Sequence, residues 1–263
     1  LHKETIELID ANHVPGSCQT LVTMEDTGKK ILYSGDFSYP GIQTPKADVL
    51  VLDGTHGTKE YDFNTDKPSV LRRIFDEVIK QIRKDKPEPV EIIAQRGTMQ
   101  DIMAELEKEY DGDFIPEEVP FLADENEIAL TNAIKHEYDQ KIRKVEPSSE
   151  DRLNELYNFE KKAYVHFTRP QQMATSQHER GIVIQADVNT NFKQKGPLWT
   201  DKNGKFYACL AAHAGYSEIL QYVSAVKPET VIVDGTRTNP ETALSLSNSI
   251  SKKLGINTFM MNC

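Results

Sequence analysis

Two residues with metal-binding side chains, His13 and Asp36, lie in turns that directly follow short apolar segments. The first segment covers residues 8–11 and the second residues 31–33, and each turn contains glycine. An imidazole nitrogen and a carboxylate oxygen are ligands that zinc and similar divalent ions accept. A strand end fixes the backbone while the turn exposes the side chain, so both positions suit a metal site. Spacing alone also fits ordinary turn residues.

Three further titratable residues, Asp53, His213 and Asp234, each follow an apolar run that is typical of a buried strand. Two other histidines, His166 and His178, have no partner at metal-ligand spacing, and we expect them to be solvated or satisfied by hydrogen bonds. The candidate chemistry is therefore concentrated at the ends of predicted strands.

The composition is that of an ordinary folded protein. With 263 residues, of which 38% are hydrophobic and 27% charged, the chain fits one large domain or two smaller ones. It contains no apolar run near the roughly 18 residues of a membrane span and no signal-peptide pattern, so we expect no membrane contact. Three widely spaced cysteines argue against a disulfide framework and predict a reducing, cytoplasmic location. The chain opens on Leu1 in mid-pattern, so we expect it to be the later part of a longer protein.

The net charge of −10 has the wrong sign for a protein that holds nucleic acid through its overall charge. Two bound divalent cations would place four positive charges locally, and the local charge governs contact with a phosphate. The composition therefore weakens a nucleic-acid hypothesis without excluding it.

The pattern along the chain divides it into residues 1–57, 58–205 and 206–263. The first segment predicts consecutive strands, the middle segment alternates strands with amphipathic helices, and the last returns to strand, helix, strand, helix and strand. This order predicts an α/β protein whose middle segment is a doubly wound unit. In that segment we expect short strands at residues 114–115 and 119–122, a helix over 125–144, and a loop over 189–204 whose Trp199 packs locally or stacks on a base.

Arg96 lies in a turn between a predicted strand and a predicted helix, next to Gly97. A glycine turn at a helix N-terminus can hold a phosphate, although a plain connection between strand and helix gives the same pattern.

Four stretches of the chain resemble motifs of the metallo-β-lactamase fold and its nucleic-acid-processing β-CASP family. DANHVPGS and LYSGDFS, which contain His13 and Asp36, resemble the third and fourth metal motifs. DGTHG, which begins at Asp53, resembles the acidic β-CASP motif, and AAHAGYSEI, which contains His213, resembles the second β-CASP motif. The motifs also occur in the family's order.

The resemblance implies an αββα metallo-β-lactamase core built from residues 1–57 and 206–263, with its N-terminal part outside this chain and a β-CASP domain inserted at 58–205. It implies two Zn²⁺ ions per full-length chain, or Mn²⁺, with metal ligands His13, Asp36 and Asp234. It also implies a catalytic pair in which Asp53 orients His213 as the proton donor, and substrate contacts from His56, Arg96 and Ser217. A structural hydrogen bond at a strand end is the alternative role for Asp53 and His213.

The chain departs from the family pattern in three places. The leading His-x-His-x-Asp-His motif is absent, the family's Gly-Arg order is exchanged at Arg96 and Gly97, and Asp234 occupies a slot where relatives carry His or Val. A role as a turn residue therefore explains Asp234 as well as a role as a metal ligand does.

These features predict a metal-dependent nuclease that hydrolyses phosphodiester bonds of RNA or DNA, with nucleic acid as its partner and a homodimer left open. One alternative is a catalytically silent relative that binds nucleic acid or a protein. Another is a metallohydrolase of small esters. The long middle segment disfavours this alternative, because a small substrate does not need a second domain to hold it.

Overall fold

The computed structural model describes residues 3–62, 66–139, 141–160, 162–170, 181–188, 195–236 and 238–261. The chain forms two compact units, and the first combines Leu1–Asn64 with Ala211–Cys263 while the second is Thr65–Leu210. The sequence pattern placed the corresponding boundaries after residues 57 and 205. His178 lies outside the described residues.

The first unit is built on a six-stranded mixed sheet in the order β1-β2-β3-β4-β12-β13. β1, β2 and β3 are antiparallel neighbours, whereas β3, β4, β12 and β13 run parallel to one another. The strands are β1 (Glu4–Asp10), β2 (Cys18–Met24), β3 (Lys30–Tyr33), β4 (Val49–Asp53), β12 (Thr230–Asp234) and β13 (Asn257–Met261). The consecutive strands predicted for residues 1–57 are all present.

Two helices cover one face of this sheet, α5 (Tyr216–Val226) and α6 (Pro240–Leu254). The Glu218 carboxylate accepts a hydrogen bond from Gly215 N (2.7 Å) at the start of α5, and the Asn239 side chain caps α6. Gly255 ends α6 with φ +69°, a left-handed conformation that glycine adopts without steric cost. Leucine and valine side chains of the strands pack against both helices and form the core of this unit.

The opposite face of the same sheet is apolar and exposed. Ile6 and Leu8 on β1 are 64% and 67% exposed, and Phe259 on β13 is 62% exposed. The register places residues of the intervening strands on the same face, including Val22, Ile31, Tyr33, Val51 and Ile232. Continuous apolar surface across a six-stranded sheet is the kind of face that packs against another layer.

The second unit contains a seven-stranded sheet in the order β10-β11-β9-β5-β8-β6-β7, parallel except for the β10–β11 pair. Its strands are β5 (Val90–Ala94), β6 (Phe121–Ala123), β7 (Val145–Pro147), β8 (Val165–Thr168), β9 (Ile182–Asp187), β10 (Leu198–Thr200) and β11 (Phe206–Cys209). Its helices are α1 (Lys67–Ile82), α2 (Thr98–Leu106), α3 (Glu125–Ile134) and α4 (Glu150–Asn154). The predicted α/β class is confirmed, with two mixed sheets.

Two predictions for residues 107–145 are wrong, and Arg143 explains one of them. Its guanidinium binds Glu107 and donates to the carbonyl oxygens of Ile115, Pro116 and Val119, so these carbonyls are not available to a strand ladder at 114–115. The predicted helix over 125–144 ends at Ile134 and continues only as a 3-10 turn to Tyr138.

The predicted loop over 189–204 contains a strand in its described part. β10 pairs with β11, and the Trp199 ring stacks on Tyr207 with their centroids 5.3 Å apart. Trp199 therefore packs locally, which is one of the two roles expected for it. Among the helices of the described residues, none combines the length and apolar character needed to cross a membrane.

A buried polar pair in the first unit generates a testable prediction. The Tyr222 hydroxyl on α5 donates to Gln19 Oε1 on β2, and Gln19 Nε2 donates to the carbonyls of Asp10 (2.9 Å) and Gln43 (3.0 Å). Tyr222→Phe leaves a buried acceptor without its donor, so we expect unfolding free energy to fall by about 1–3 kcal/mol in chemical denaturation. Gln19→Leu should cost at least as much, because it leaves two carbonyls unsatisfied. The double variant should lose less than the sum of the single losses, and strict additivity would contradict the coupling.

Candidate metal centre

The carboxyl ends of five strands of the first unit meet at one edge of its sheet. β1 is antiparallel to β2, β2 is antiparallel to β3, and β3, β4 and β12 are parallel, so β1, β3, β4 and β12 point the same way. β13 follows the same direction. The turns that carry His13, Asp36 and Asp53 follow β1, β3 and β4, and strand direction therefore brings them to this edge.

His13, Asp36 and His213 form a group of potential metal ligands, with one ligand atom from each residue lying within 4.8 Å of the others. All three side chains are half-buried. His213 comes from the turn before α5, in the second of the two chain segments, whereas His13 and Asp36 belong to the first. The site is thus assembled from both segments that make up the first unit.

His13 is held in the tautomer that a metal ligand needs. Its Nδ1 lies 3.0 Å from the carbonyl oxygen of Ala212, and because a carbonyl only accepts, Nδ1 carries the proton and Nε2 carries the lone pair. Burial lowers the pKa of His13, and the nearby His213 adds to this effect. A neutral imidazole at neutral pH is the form that binds a cation.

Asp53 orients His213. The Nδ1 of His213 donates to Asp53 Oδ2 (3.0 Å), while Asp53 Oδ1 accepts from the backbone N–H (2.9 Å) and hydroxyl (2.6 Å) of Thr55. Burial alone would raise the pKa of Asp53, but the hydrogen bonds from His213 and Thr55 outweigh it and lower the pKa. The carboxylate is therefore ionised, and the Nε2 of His213 is the nitrogen left for the ligand group.

His56 lies behind His213 and is only 4% exposed. Its ring centroid lies 5.2 Å from that of His213 and 4.9 Å from that of Tyr61, on which it stacks. Its Nδ1 donates to the carbonyl of Ala214 (3.2 Å), so it packs against the turn that carries His213. Burial lowers the pKa of His56 to about 4, with further lowering from His213. This burial leaves little surface for the substrate contact that the sequence predicted.

The structure does not bring Asp234 into the ligand group. It pairs with Asp53 in the strand register, and its Oδ1 accepts from the backbone N–H (2.9 Å) and hydroxyl (2.7 Å) of Thr236. Of the two roles left open for it, the turn role matches these hydrogen bonds. Among the described residues, the metal-ligand group contains only His13, Asp36 and His213.

The other two predicted substrate contacts, Ser217 and Arg96, are not members of this ligand group. Ser217 is the second residue of α5, and its backbone N–H donates to Asp62 Oδ1 (3.1 Å). Arg96 belongs to the second unit, where its guanidinium binds the buried carboxylate of Glu127 (2.8 Å), which also pairs with Arg169 (2.9 Å). Their predicted contacts with substrate remain predictions.

Sequence reasoning missed the residues that hold Asp53 and His213 in place. Thr55 was not singled out, although an Asp followed two residues later by Thr is a known signature of a side-chain-capped turn. Ser34, whose hydroxyl accepts from Asp53 N (3.0 Å), and Tyr61 carry no comparable signal in the sequence.

The burial of His56 predicts a pH dependence of stability. The unfolded chain protonates this histidine near pH 6.5, whereas the folded protein resists protonation until about pH 4. Neutral His56 therefore contributes about 3 kcal/mol to the unfolding free energy above pH 6.5. This contribution is lost as the pH falls towards 4. We expect His56→Phe, in chelator, to flatten the decline in unfolding free energy between pH 7 and pH 4. The exposed His136→Phe serves as control, and identical profiles for all three proteins would contradict the assignment.

The chain matches no model of a known protein family. The fold is similar to the crystal structure of a protein of unknown function from Enterococcus faecalis V583, with a TM-score of 0.54 and 12% identity. That match covers 91% of this chain and 60% of the other chain, and at this identity it shows the fold alone. Over 116 residues, 41% of its length, the chain is 35% identical to an "uncharacterized protein in lig 3′ region" of Acidianus ambivalens, 75% of which is covered. The chain therefore belongs to the same family as this Acidianus ambivalens protein.

Proposed function

We propose that the protein is a metal-dependent nuclease of the metallo-β-lactamase fold and β-CASP type, which hydrolyses phosphodiester bonds of RNA or DNA. The observation that carries the proposal is the convergence of His13, Asp36 and His213, from two distant chain segments, to within 4.8 Å at one sheet edge. Strand-end residues that served only their own turns would not need to place their ligand atoms within this distance of one another.

The two faces of the first unit's sheet support the fold named in this proposal. One face is covered by α5 and α6, while the opposite face presents exposed apolar residues such as Ile6, Leu8 and Phe259. An αββα core needs a sheet that is apolar on both faces, because one side meets helices and the other meets a second sheet.

The donor set fits zinc. His13 and Asp36 offer an imidazole and a carboxylate, which are ligand types of hydrolytic zinc sites. These two side chains supply two donors for one such ion, and completing its coordination or binding a second ion would need further ligands. Mn²⁺ accepts the same nitrogen and oxygen donors. A bound divalent ion lowers the pKa of a water molecule and neutralises charge that develops on the phosphate.

The chain's own residues would position and protonate the substrate. Asp53 fixes the His213 ring through Nδ1, which leaves Nε2 for substrate or a cation. An imidazole held in this way can donate a proton to a leaving oxygen, and it can also bind a cation. Thr55 and Ser34 hold Asp53 in turn, and His56 packs against the turn of His213. We assign His213 as the proton donor.

Removal of a ligand tests the metal site directly. We expect Asp36→Ala or His13→Ala to lower the bound zinc, measured by elemental analysis after dialysis, and to abolish chelator-sensitive cleavage of labelled single-stranded RNA and DNA. His136→Ala, at an exposed histidine of the second unit, should keep the zinc and the activity of the parent. A parent protein that binds no zinc would contradict the nuclease proposal and favour a catalytically silent relative.

The catalytic pair requires a separate test. We expect His213→Ala to lower the cleavage rate by about 10²- to 10⁴-fold with zinc content retained, because general acid catalysis is typically worth that factor. Asp53→Asn should also lower the rate, since a neutral amide oxygen accepts a weaker hydrogen bond from His213 than an ionised carboxylate does. Loss of zinc in His213→Ala would instead identify His213 as a ligand, and an unchanged rate would remove it from the chemistry altogether.

A further inference from the structure

A groove of about 680 Å³ lies on the first unit, outside the ligand group. One wall is a stripe along α6 that includes Leu244, Asn248, Lys252 and Lys253, and the other wall is formed by Lys59 and Tyr216. The three lysines converge from two elements that are far apart in the chain, one in each segment of the unit. Glu241 is the only acidic residue among the described residues that line the groove.

This local charge is opposite to that of the protein, whose net charge is −10. Lys252 and Lys253 lie in the last turn of α6, where cations also favour the negative end of the helix dipole. That effect accounts for two lysines on α6 but not for Lys59, which belongs to a 3-10 turn of another segment and faces the same groove. An anionic ligand in the groove would lie near all three lysines.

Tyr216 ties the two walls together. The Lys253 ammonium lies 4.9 Å from the centroid of its ring, and its hydroxyl is hydrogen-bonded to Ser249 and Lys253. Burial would raise the pKa of Tyr216, yet these hydrogen bonds and the charges of Lys253 and Lys59 lower it. The positive charge of the groove therefore favours the negatively charged form of the Tyr216 hydroxyl, although this side chain is buried.

Two short chain segments link residues that line the groove to residues at the candidate metal centre. The turn Lys59–Tyr61 has Lys59 in the groove at one end and Tyr61 stacked on His56 at the other. On the second segment, Tyr216 lines the groove three residues after His213, and the neighbouring Ser217 N–H is anchored to Asp62. An extended ligand at the metal centre would reach the groove by following these segments.

We propose that this groove binds phosphates of a single-stranded polynucleotide next to the bond that is cleaved. Lys59, Lys252 and Lys253 would contact the backbone, since ammonium groups bind phosphate as point charges. Asn248 and the small serines of the stripe leave room and offer hydrogen bonds, and Leu244, which is 49% exposed, offers apolar surface to a sugar or a base. The choice of ligand rests on the proposed nuclease function, whereas the experiment below measures binding without cleavage.

The test compares two pairs of lysines, each made of two residues that are neighbours in the sequence. Lys252→Gln/Lys253→Gln removes two charges from the groove, and Lys29→Gln/Lys30→Gln removes two exposed charges at the amino end of β3, opposite to the metal centre. Binding of a fluorescent 12-nucleotide single-stranded RNA and the matching DNA is measured by anisotropy in chelator, at several salt concentrations. Thermal unfolding of each variant shows that it is folded.

We expect the groove variant to bind about tenfold more weakly at low salt, with the slope of log affinity against log salt reduced by about 1.4, or about 0.7 per lost phosphate contact. Lys59→Gln should reduce the slope by about 0.7 for the same reason, and the control pair should bind like the parent within twofold. Equal losses in groove and control variants would overturn the proposal.

Two competitors identify the source of the negative charge. A poly-glutamate peptide of equal charge should compete at least tenfold less well than unlabelled oligonucleotide, and inorganic phosphate should not compete at low millimolar concentration. Equal competition by the peptide would overturn the assignment to nucleic acid. Strong competition by inorganic phosphate would overturn the assignment to a polynucleotide backbone and indicate a site for a single phosphate. Because cleavage is blocked, failure of the nuclease proposal would appear as groove-dependent binding without hydrolysis when metal is restored.

Discussion

The hydrogen bond between Asp53 and His213 joins the two chain segments on which the candidate site depends. Asp53 ends β4 in the first segment, and His213 follows the second unit in the chain, 160 residues later. Closing so long a loop costs conformational entropy, although that cost grows only slowly with length. The parallel pairing of β4 with β12 fixes the second segment in register, so a short hydrogen bond can form with little further ordering.

The same constraint organises the surroundings of the pair. Asp53 is satisfied on one oxygen by Thr55 and on the other by His213, and its backbone N–H is satisfied by Ser34. A carboxylate with these partners can remain ionised although it is largely buried. His56 then fills the space behind His213, where its own burial keeps it neutral. A neutral packing histidine adds no positive charge beside a candidate site for cations.

Charge is distributed unevenly over the protein, and this would reconcile an acidic chain with the anionic substrate that we propose. The net charge of −10 opposes general binding of nucleic acid. Carboxylates at the metal centre would be offset by bound cations, and lysines gather in the groove beside it.

The sequence by itself determined the α/β class, the order of strands and helices in its first and last segments, and the residue types that could hold a metal. Those features follow from local periodicity and turn chemistry, as at β3 or α6, where neighbouring residues decide the conformation. The lack of a strand at 114–115 was decided by tertiary contacts instead, since Arg143 binds carbonyls of a segment that is not its neighbour in the sequence. The early end of the predicted helix 125–144 places Arg143 outside that helix, where it can make these contacts.

For the candidate site, the sequence named His13, Asp36, Asp53 and His213, but only the tertiary structure decided which of them meet. It placed His213 with the metal ligands, gave Asp234 to a local turn, and buried His56. The physical reason is that strand direction and register set where a side chain converges, and register is a property of paired strands that no single segment of sequence contains.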